Sequence, residues 1–144
     1  MPGAFGSIGL GGATAVGAAK ARPEVPTVCV AGDGGAMMGI TELNAAVRHS
    51  LPLVLVVLDD HCYGAEYLKL ESLDLSPSHS EVQRTRFAET ARALGTRAVT
   101  VRDPGEFAQV AALLDDGVFP LVVEVVADPA RKRPADLTAA AAAR

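Results

Sequence analysis

Short apolar runs alternate along the chain with stretches whose apolar residues recur at helical spacing. Residues 27–31, 53–58 and 121–126 are apolar runs of strand length, and residues 97–101 form a weaker one. The run at 53–58 is apolar at every position, which is typical of a central parallel strand covered on both faces. These four segments are the predicted strands.

Four other segments have the pattern of helices, namely residues 11–21, 38–49, 84–94 and 104–114. In the second of them, Ile40, Leu43 and Val47 fall on one helical face. Gly95 is a stop signal for the third, and Asp-Pro-Gly-Glu at 103–106 is a start signal for the fourth. The pattern predicts a tight turn at 32–35, a loop at 59–66 and a longer surface loop at 71–83.

Helices that alternate with strands through short connections predict an α/β fold, with a parallel sheet and helices on both faces. The chain has 144 residues, of which 49% are hydrophobic and 21% charged, so it is long enough for one domain with its own core. We place that domain at residues 1–130, followed by a basic and Ala-rich tail at 131–144.

Composition also excludes several classes of function. The formal charge of −4 argues against a surface for nucleic acid. Cys29 and Cys62 form neither a disulfide framework nor a pair at zinc-finger spacing. No apolar run is long enough to cross a membrane, and the apolar residues near the start follow no basic segment. We therefore expect a cytoplasmic protein that does not bind membranes.

The candidate site consists of the most polar segments that follow predicted strands, because ligands of such sheets lie beyond the carboxyl ends of the strands. Gly32, Asp33, Gly34 and Gly35 follow the first predicted strand and precede a helix, so their backbone N–H groups can bind phosphate. Asp33 would repel bare phosphate, which favours a cation between them. The alternative is an ordinary turn with a capping aspartate.

Asp60 follows the next predicted strand, so it should reach the same edge of the sheet as Asp33. Two carboxylates with phosphate oxygens and water make an octahedral magnesium shell. The alternative is that Asp59 and Asp60 form a solvated turn. His61 lies beside this site, and we interpret it as a solvated loop histidine, the alternative being a contact with substrate or phosphate.

These residues together resemble a known family. GDGG, the segment LPLVLVVLDDHCYGAE, the upstream GSIGL and the ELNAAVRHS segment resemble the diphosphate-binding domain of thiamine-diphosphate-dependent enzymes. The branch that the chain resembles most is that of the 2-oxo acid decarboxylases and acetolactate synthases. The resemblance covers roughly residues 3–126, and it implies thiamine diphosphate and Mg²⁺ as cofactors.

The resemblance also implies roles for single residues. Asp33, Asp60 and the backbone carbonyl of Cys62 match the magnesium ligands, although most relatives carry Asn where this chain has Asp60. The positions that match the cofactor's diphosphate site are Gly32, Gly34, Gly35, Ala36, Tyr63 and Gly64.

Three further matches concern the rest of the cofactor. Gly6 matches a carbonyl that accepts a hydrogen bond from the aminopyrimidine, and Ile8 matches the apolar residue that bends the cofactor. Glu66 matches an acid that handles protons in some decarboxylases. The alternatives are core packing for Ile8 and a surface carboxylate at the head of a helix for Glu66.

The family's activating glutamate belongs to a pyrimidine-binding domain that we do not find in these 144 residues. The family's usual first strand also has no counterpart here. We therefore expect a partner chain or a missing segment to supply that domain, a homo- or hetero-oligomer, and a small 2-oxo acid as substrate. Two alternatives are a truncated, non-catalytic homologue and an unrelated phosphate-binding α/β protein.

Overall fold

The computed structural model describes residues 6–127, so the expected tail at 131–144 lies outside the described residues. Four strands make one sheet: β1 (Thr27–Gly32), β2 (Leu53–Asp59), β3 (Arg97–Val101) and β4 (Leu121–Val126). The helices are α1 (Leu10–Ala21), α2 (Asp33–Gly39), α3 (Leu43–Arg48), α4 (Gly64–Ser72), α5 (Phe87–Ala93) and α6 (Phe107–Asp115). Short 3-10 turns lie at Ile40–Glu42, Pro77–His79 and Pro104–Glu106. In this part of the chain, no helix has the length and apolar character needed to cross a membrane.

All strand pairs are parallel, in the order β1-β2-β4-β3. The connection from β1 to β2 runs through α2 and α3, and that from β2 to β3 runs through α4 and α5. The chain then returns through α6 to place β4 beside β2. This confirms the predicted α/β fold and all four predicted strands, and among residues 6–127 no strand precedes β1.

Residues 53–57 of β2 point alternately into two apolar cores, which is why each of these positions is apolar. Leu53, Leu55 and Val57 face the core that α1, α2, α3 and α5 cover. Val54 and Val56 face a second core, to which α6 contributes partly buried side chains. Helices therefore pack on both faces of the sheet, as the alternation predicted.

The helices differ from the prediction in two places. The predicted helix at 38–49 is broken into α2, a 3-10 turn and α3, and α2 already begins at Asp33, within the predicted tight turn. The break lies at Gly39, where a Cβ atom would be 3.0 Å from the carbonyl oxygen of Gly9. This close approach of two backbones is a long-range contact that helical periodicity does not encode.

The second difference is α4, which occupies the end of the predicted loop at 59–66 and the beginning of the one at 71–83. None of its residues is buried. A helix without a buried face lacks the apolar stripe that reveals a helix in a sequence, so the pattern could not predict it. Where local chemistry was strong, prediction succeeded: Gly95 has φ 93° after α5, and Asp103 and Glu106 form the expected capping box.

A carboxylate inside the fold joins three elements. Glu124 of β4 is only 5% exposed, and its oxygen atoms accept hydrogen bonds from the backbone N–H of Phe87 (3.0 Å) and of Ala88 (3.4 Å). They also accept one from the hydroxyl of Thr100 at 2.7 Å. Glu124 thereby binds N–H groups of the first turn of α5, which have no partner within the helix. Its side chain ties α5 and β3 to β4.

We expect Glu124→Gln to lower the free energy of unfolding by about 2 kcal/mol, because an NH₂ group then faces donors that lose their acceptor. Urea unfolding followed by circular dichroism measures the change. Glu71→Gln is the matched control, since Glu71 is exposed and should change stability by less than about 0.5 kcal/mol. Equal stabilities of the two variants would contradict the role of Glu124.

Candidate functional site

The site lies where β1 and β2 end side by side. Gly32, the last residue of β1, pairs with Leu58 of β2, so the residues that follow both strands reach the same edge of the sheet. Asp33 begins α2 after β1, and Asp59 closes β2. The carboxylates of Asp33 and Asp59 therefore converge at this edge, whereas the pair expected from the sequence was Asp33 and Asp60.

Asp33 is buried, with 4% of its surface exposed, and is the first residue of α2 rather than its N-cap. Its Oδ1 accepts a hydrogen bond from the backbone N–H of Gly34 at 2.7 Å, whereas its Oδ2 has no partner among the described residues. Burial raises the pKa of this carboxyl, and the neighbouring Asp60 and Asp59 raise it further against the opposing bond from Gly34. A cation beside Asp33 would reverse both effects, because it stabilises the ionised form.

Asp59 and His61 accompany Asp33. Asp59 is 1% exposed, so the interpretation of this residue as part of a solvated turn is wrong. His61 is half-buried with φ 61°, and its Nδ1 lies 2.7 Å from Oδ1 of Asp59. The contact lacks hydrogen-bond geometry, since both oxygens of Asp59 and Nδ1 of His61 have no hydrogen-bond partner in the described part of the chain. One ligand atom from each of Asp33, Asp59 and His61 lies within 4.8 Å of the others.

The alternation along β2 is a signal in the sequence for the burial of Asp59. Leu53, Leu55 and Val57 are buried on one face of β2, and Asp59 continues the same alternation. A residue two positions beyond Val57 on that strand must point to the same side as Val57. No comparable signal exists for His61, which lies beyond the strand.

Asp60 and Cys62 lie beside this group. Oδ2 of Asp60 would be 3.1 Å from a Cβ atom on Gly64, and Asp60 is not among the three residues whose ligand atoms lie within 4.8 Å of one another. Cys62 is buried and pairs with Glu81 in an isolated bridge. Burial raises the pKa of the Cys62 thiol to about 11, and the charge of Asp60 adds to that effect. The thiol is therefore neutral near pH 7.

Close contacts explain several glycines of the site. A Cβ atom on Gly34 would collide with Cε1 of Tyr63, so a side chain there would displace the tyrosine ring. A Cβ atom on Gly35 would be 3.5 Å from Cγ2 of Ile8, which places Ile8 beside α2. Ile8 is 58% exposed, so core packing does not account for it.

Ala36 is buried, whereas Gly6 and Gly32 are exposed and would have open space around a Cβ atom. Gly6 has φ 60°.

A second segment closes the site from the other side. The backbone N–H of Tyr63 donates to the carbonyl of Ser80 at 2.8 Å, and that of Val82 donates to the carbonyl of His61 at 2.9 Å. Between the two segments lies a cavity of about 270 Å³, lined by Asp33, Gly34, Met37, Tyr63, Val82, Gln83, Arg84, Thr85 and Phe87. The sequence gives no signal for a site role of residues 82–85, because their position depends on this pairing with residues 61–63.

Glu66 lies apart from both the cavity and the three convergent side chains. It is exposed in the first turn of α4. Its proposed role in proton transfer therefore remains a prediction.

The residues at the edge fit a divalent cation. Asp33 and Asp59 are buried carboxylates with oxygen atoms that no described donor reaches, and buried carboxylates are ordinarily paired or bound to a metal. Oxygen ligands of this kind suit Mg²⁺. The arrangement can hold a cation next to backbone N–H groups at the start of α2.

A family model described as "Thiamine pyrophosphate enzyme, C-terminal TPP binding domain" matches residues 1–125. The large subunit of acetolactate synthase isozyme 2 from Escherichia coli is 35% identical over 126 residues, which are 84% of this chain and 23% of that subunit. Sulfoacetaldehyde acetyltransferase from Alcaligenes xylosoxydans is 33% identical over 103 residues, 69% of this chain and 17% of the enzyme.

Among solved structures, the thiamine diphosphate-dependent 4-hydroxybenzoylformate decarboxylase of Rhodococcus jostii superposes with a TM-score of 0.75 at 29% identity. The match covers 84% of this chain and 23% of that protein. The chain thus spans less than a quarter of the length of these proteins.

We expect Gly34→Ala to displace the ring of Tyr63 and to lower the free energy of unfolding by about 1–3 kcal/mol, because the added methyl group overpacks the contact. Gly32→Ala is the matched control in the same turn: Gly32 has φ −72° and open space around its Cβ position. Urea unfolding of both variants measures the difference. A Gly34→Ala protein as stable as Gly32→Ala would disprove the close contact.

Proposed function

Because this chain belongs to the thiamine pyrophosphate enzyme family and corresponds to its C-terminal TPP binding domain, we propose that it binds the diphosphate of thiamine diphosphate through Mg²⁺. We further propose that it does so as part of a larger enzyme acting on a 2-oxo acid. One observation carries the proposal: the buried Asp33 presents an unpartnered oxygen beside the backbone of Gly34 and Gly35.

The proposed magnesium ligands are Asp33, Asp60 and the backbone carbonyl of Cys62. The high pKa of the Cys62 thiol supports a role for the carbonyl rather than the sulfur, since a neutral thiol is a poor metal ligand. Asp60 lies close enough to Asp33 to raise the pKa of its carboxyl, which is consistent with a shared cation. Two carboxylates then balance the charge of Mg²⁺.

The diphosphate is proposed to lie against the start of α2. The first N–H groups of a helix have no partner within it, so that of Gly35 is free to bind an anion, with Gly34 and Ala36 beside it. Gly32, Tyr63 and Gly64 border the same space. Gly35 is only partly buried and carries no side chain, so its backbone N–H can be approached.

The remaining proposed contacts concern the rings of the cofactor. Ile8 offers an exposed apolar surface next to Gly35, which supports a role in holding the two rings in a bent conformation. Gly6 is proposed to offer its carbonyl to the aminopyrimidine, and Glu66 to move a proton near the substrate. When bound, thiamine diphosphate supplies the electron sink for breaking a bond next to the substrate's carbonyl group.

The complete enzyme is proposed to need a pyrimidine-binding domain from a partner chain or from a further segment. The exposed apolar side chains around the site support this: Ile8, Leu10, Met37 and Met38 are each about half exposed. Apolar surface of this kind next to a cofactor site is typical of an interface. An oligomer, homo- or heteromeric, would cover it.

Asp33→Asn should reduce the affinity for thiamine diphosphate with Mg²⁺ by at least about 100-fold. Even residues that only hydrogen-bond to a metal ligand change metal affinity by about 10- to 100-fold. Isothermal titration calorimetry with and without Mg²⁺ measures the affinity. Asp115→Asn is the control, because Asp115 is an exposed carboxylate at the end of α6. Unchanged Mg²⁺-dependent affinity of the Asp33→Asn protein would refute the assignment.

We expect the 144-residue chain by itself to release no carbon dioxide from a panel of 2-oxo acids, pyruvate included. Activity should appear when a chain with a pyrimidine-binding domain is added, because Asp33 and Asp60 are engaged at the diphosphate end of the cofactor. A coupled assay of carbon dioxide release measures both conditions. Turnover by the chain alone would overturn the proposed need for a pyrimidine-binding domain. Inactivity with every partner tested would favour a non-catalytic homologue.

A further inference from the structure

The buried carboxylates of the described residues fall into two groups. Glu124 is buried and accepts hydrogen bonds from three donors, so its burial is compensated within the protein. Asp59 is buried more completely, at 1% exposure, and neither of its oxygen atoms has a partner in the described part of the chain. Oδ2 of Asp33 likewise has no hydrogen-bond partner among the described residues. A buried carboxylate without donors is costly, so it requires a ligand.

The position of His61 indicates what kind of ligand. Nδ1 of His61 lies 2.7 Å from Oδ1 of Asp59, yet the two atoms do not form a hydrogen bond. Two ligands of one metal ion lie at a similar distance, because adjacent positions of an octahedron with bonds of about 2.1 Å are about 3.0 Å apart. Both atoms are therefore free to direct lone pairs at a common third point.

The third ligand atom comes from Asp33. Since all three atoms lie within 4.8 Å of one another, a point exists that is no more than about 2.8 Å from each of them. Shifts of under about 1 Å would bring the three groups to metal-bonding distance.

We propose that Asp33, Asp59 and His61 form a site for a divalent transition-metal ion, and that this ion binds in the absence of thiamine diphosphate. The imidazole distinguishes this site from the proposed magnesium site, whose protein ligands are all oxygen atoms. Imidazole nitrogen suits Zn²⁺ and other first-row transition metals, whereas Mg²⁺ prefers oxygen. The inference rests on the proposed function only in that both sites would use Asp33, so Zn²⁺ would compete with Mg²⁺ and diphosphate.

The test uses the full chain, freed of metal with a chelator and without thiamine diphosphate. Titration with Co²⁺ should produce visible absorption bands that saturate at one ion per chain, and Zn²⁺ should abolish them by displacement. His61→Asn should weaken Co²⁺ binding at least about tenfold. Asparagine tolerates the left-handed backbone of His61, so the variant isolates the imidazole. Asp59→Asn should have an effect of the same size.

The controls separate this site from the proposed magnesium site. His79→Asn removes an exposed histidine and should leave the Co²⁺ spectrum unchanged. Asp60→Ala should keep the Co²⁺ bands, while it lowers the affinity for Mg²⁺ with thiamine diphosphate. The reverse pattern, in which Asp60→Ala abolishes Co²⁺ binding and His61→Asn does not, would overturn this inference and leave the proposed function standing.

A measurement on the unmodified chain covers the case in which a variant does not fold. With ¹⁵N-labelled histidine, Zn²⁺ should shift the ring-nitrogen resonances of one of the three histidines to metal-bound values. His49→Asn and His79→Asn assign that resonance by leaving it in place. If no histidine nitrogen responds to Zn²⁺, the inference is wrong.

Discussion

The chain buries negative charge at the point where two neighbouring parallel strands end, and the candidate site is a consequence of that constraint. β1 and β2 pair in register up to Gly32 and Leu58, so the residues that follow the two strands lie next to each other. Asp33 and Asp59 are both almost fully buried there, and the fold supplies only one donor to Asp33 and none to Asp59 among the described residues. The protein leaves this charge unbalanced, which is why we propose a cation there.

Glu124 shows that the fold can bury a carboxylate without any ligand. Its oxygen atoms bind the first turn of α5 and Thr100, so that it stabilises the packing of three elements. Burial by itself therefore does not mark a binding site in this protein. The distinguishing property of Asp33 and Asp59 is the lack of donors, together with the nearby nitrogen of His61.

Glycine gives this edge its second property, which is close packing of side chains against the backbone. Gly34 is required because the ring of Tyr63 occupies the space of a Cβ atom, and Gly35 lies against Ile8. The segments at 61–63 and 80–82 are joined by backbone hydrogen bonds, which bring Arg84 and Thr85 to the cavity. Anionic and cationic groups thus line one cavity of about 270 Å³, as a cofactor with a charged diphosphate and a metal would require.

The sequence by itself determined the strands, the parallel α/β fold and the edge at which the site lies. These features follow from strong local signals: apolar runs such as 53–58, the glycines at 32–35, and the capping residues Asp103 and Glu106. The tertiary structure decided which polar side chains are buried without partners. Asp59, His61 and Glu124 depend on contacts between distant parts of the chain, and α4 has no buried face to reveal it. Hydrophobic periodicity reports which face of an element is covered, but the donors that reach a buried oxygen are set only when the elements pack.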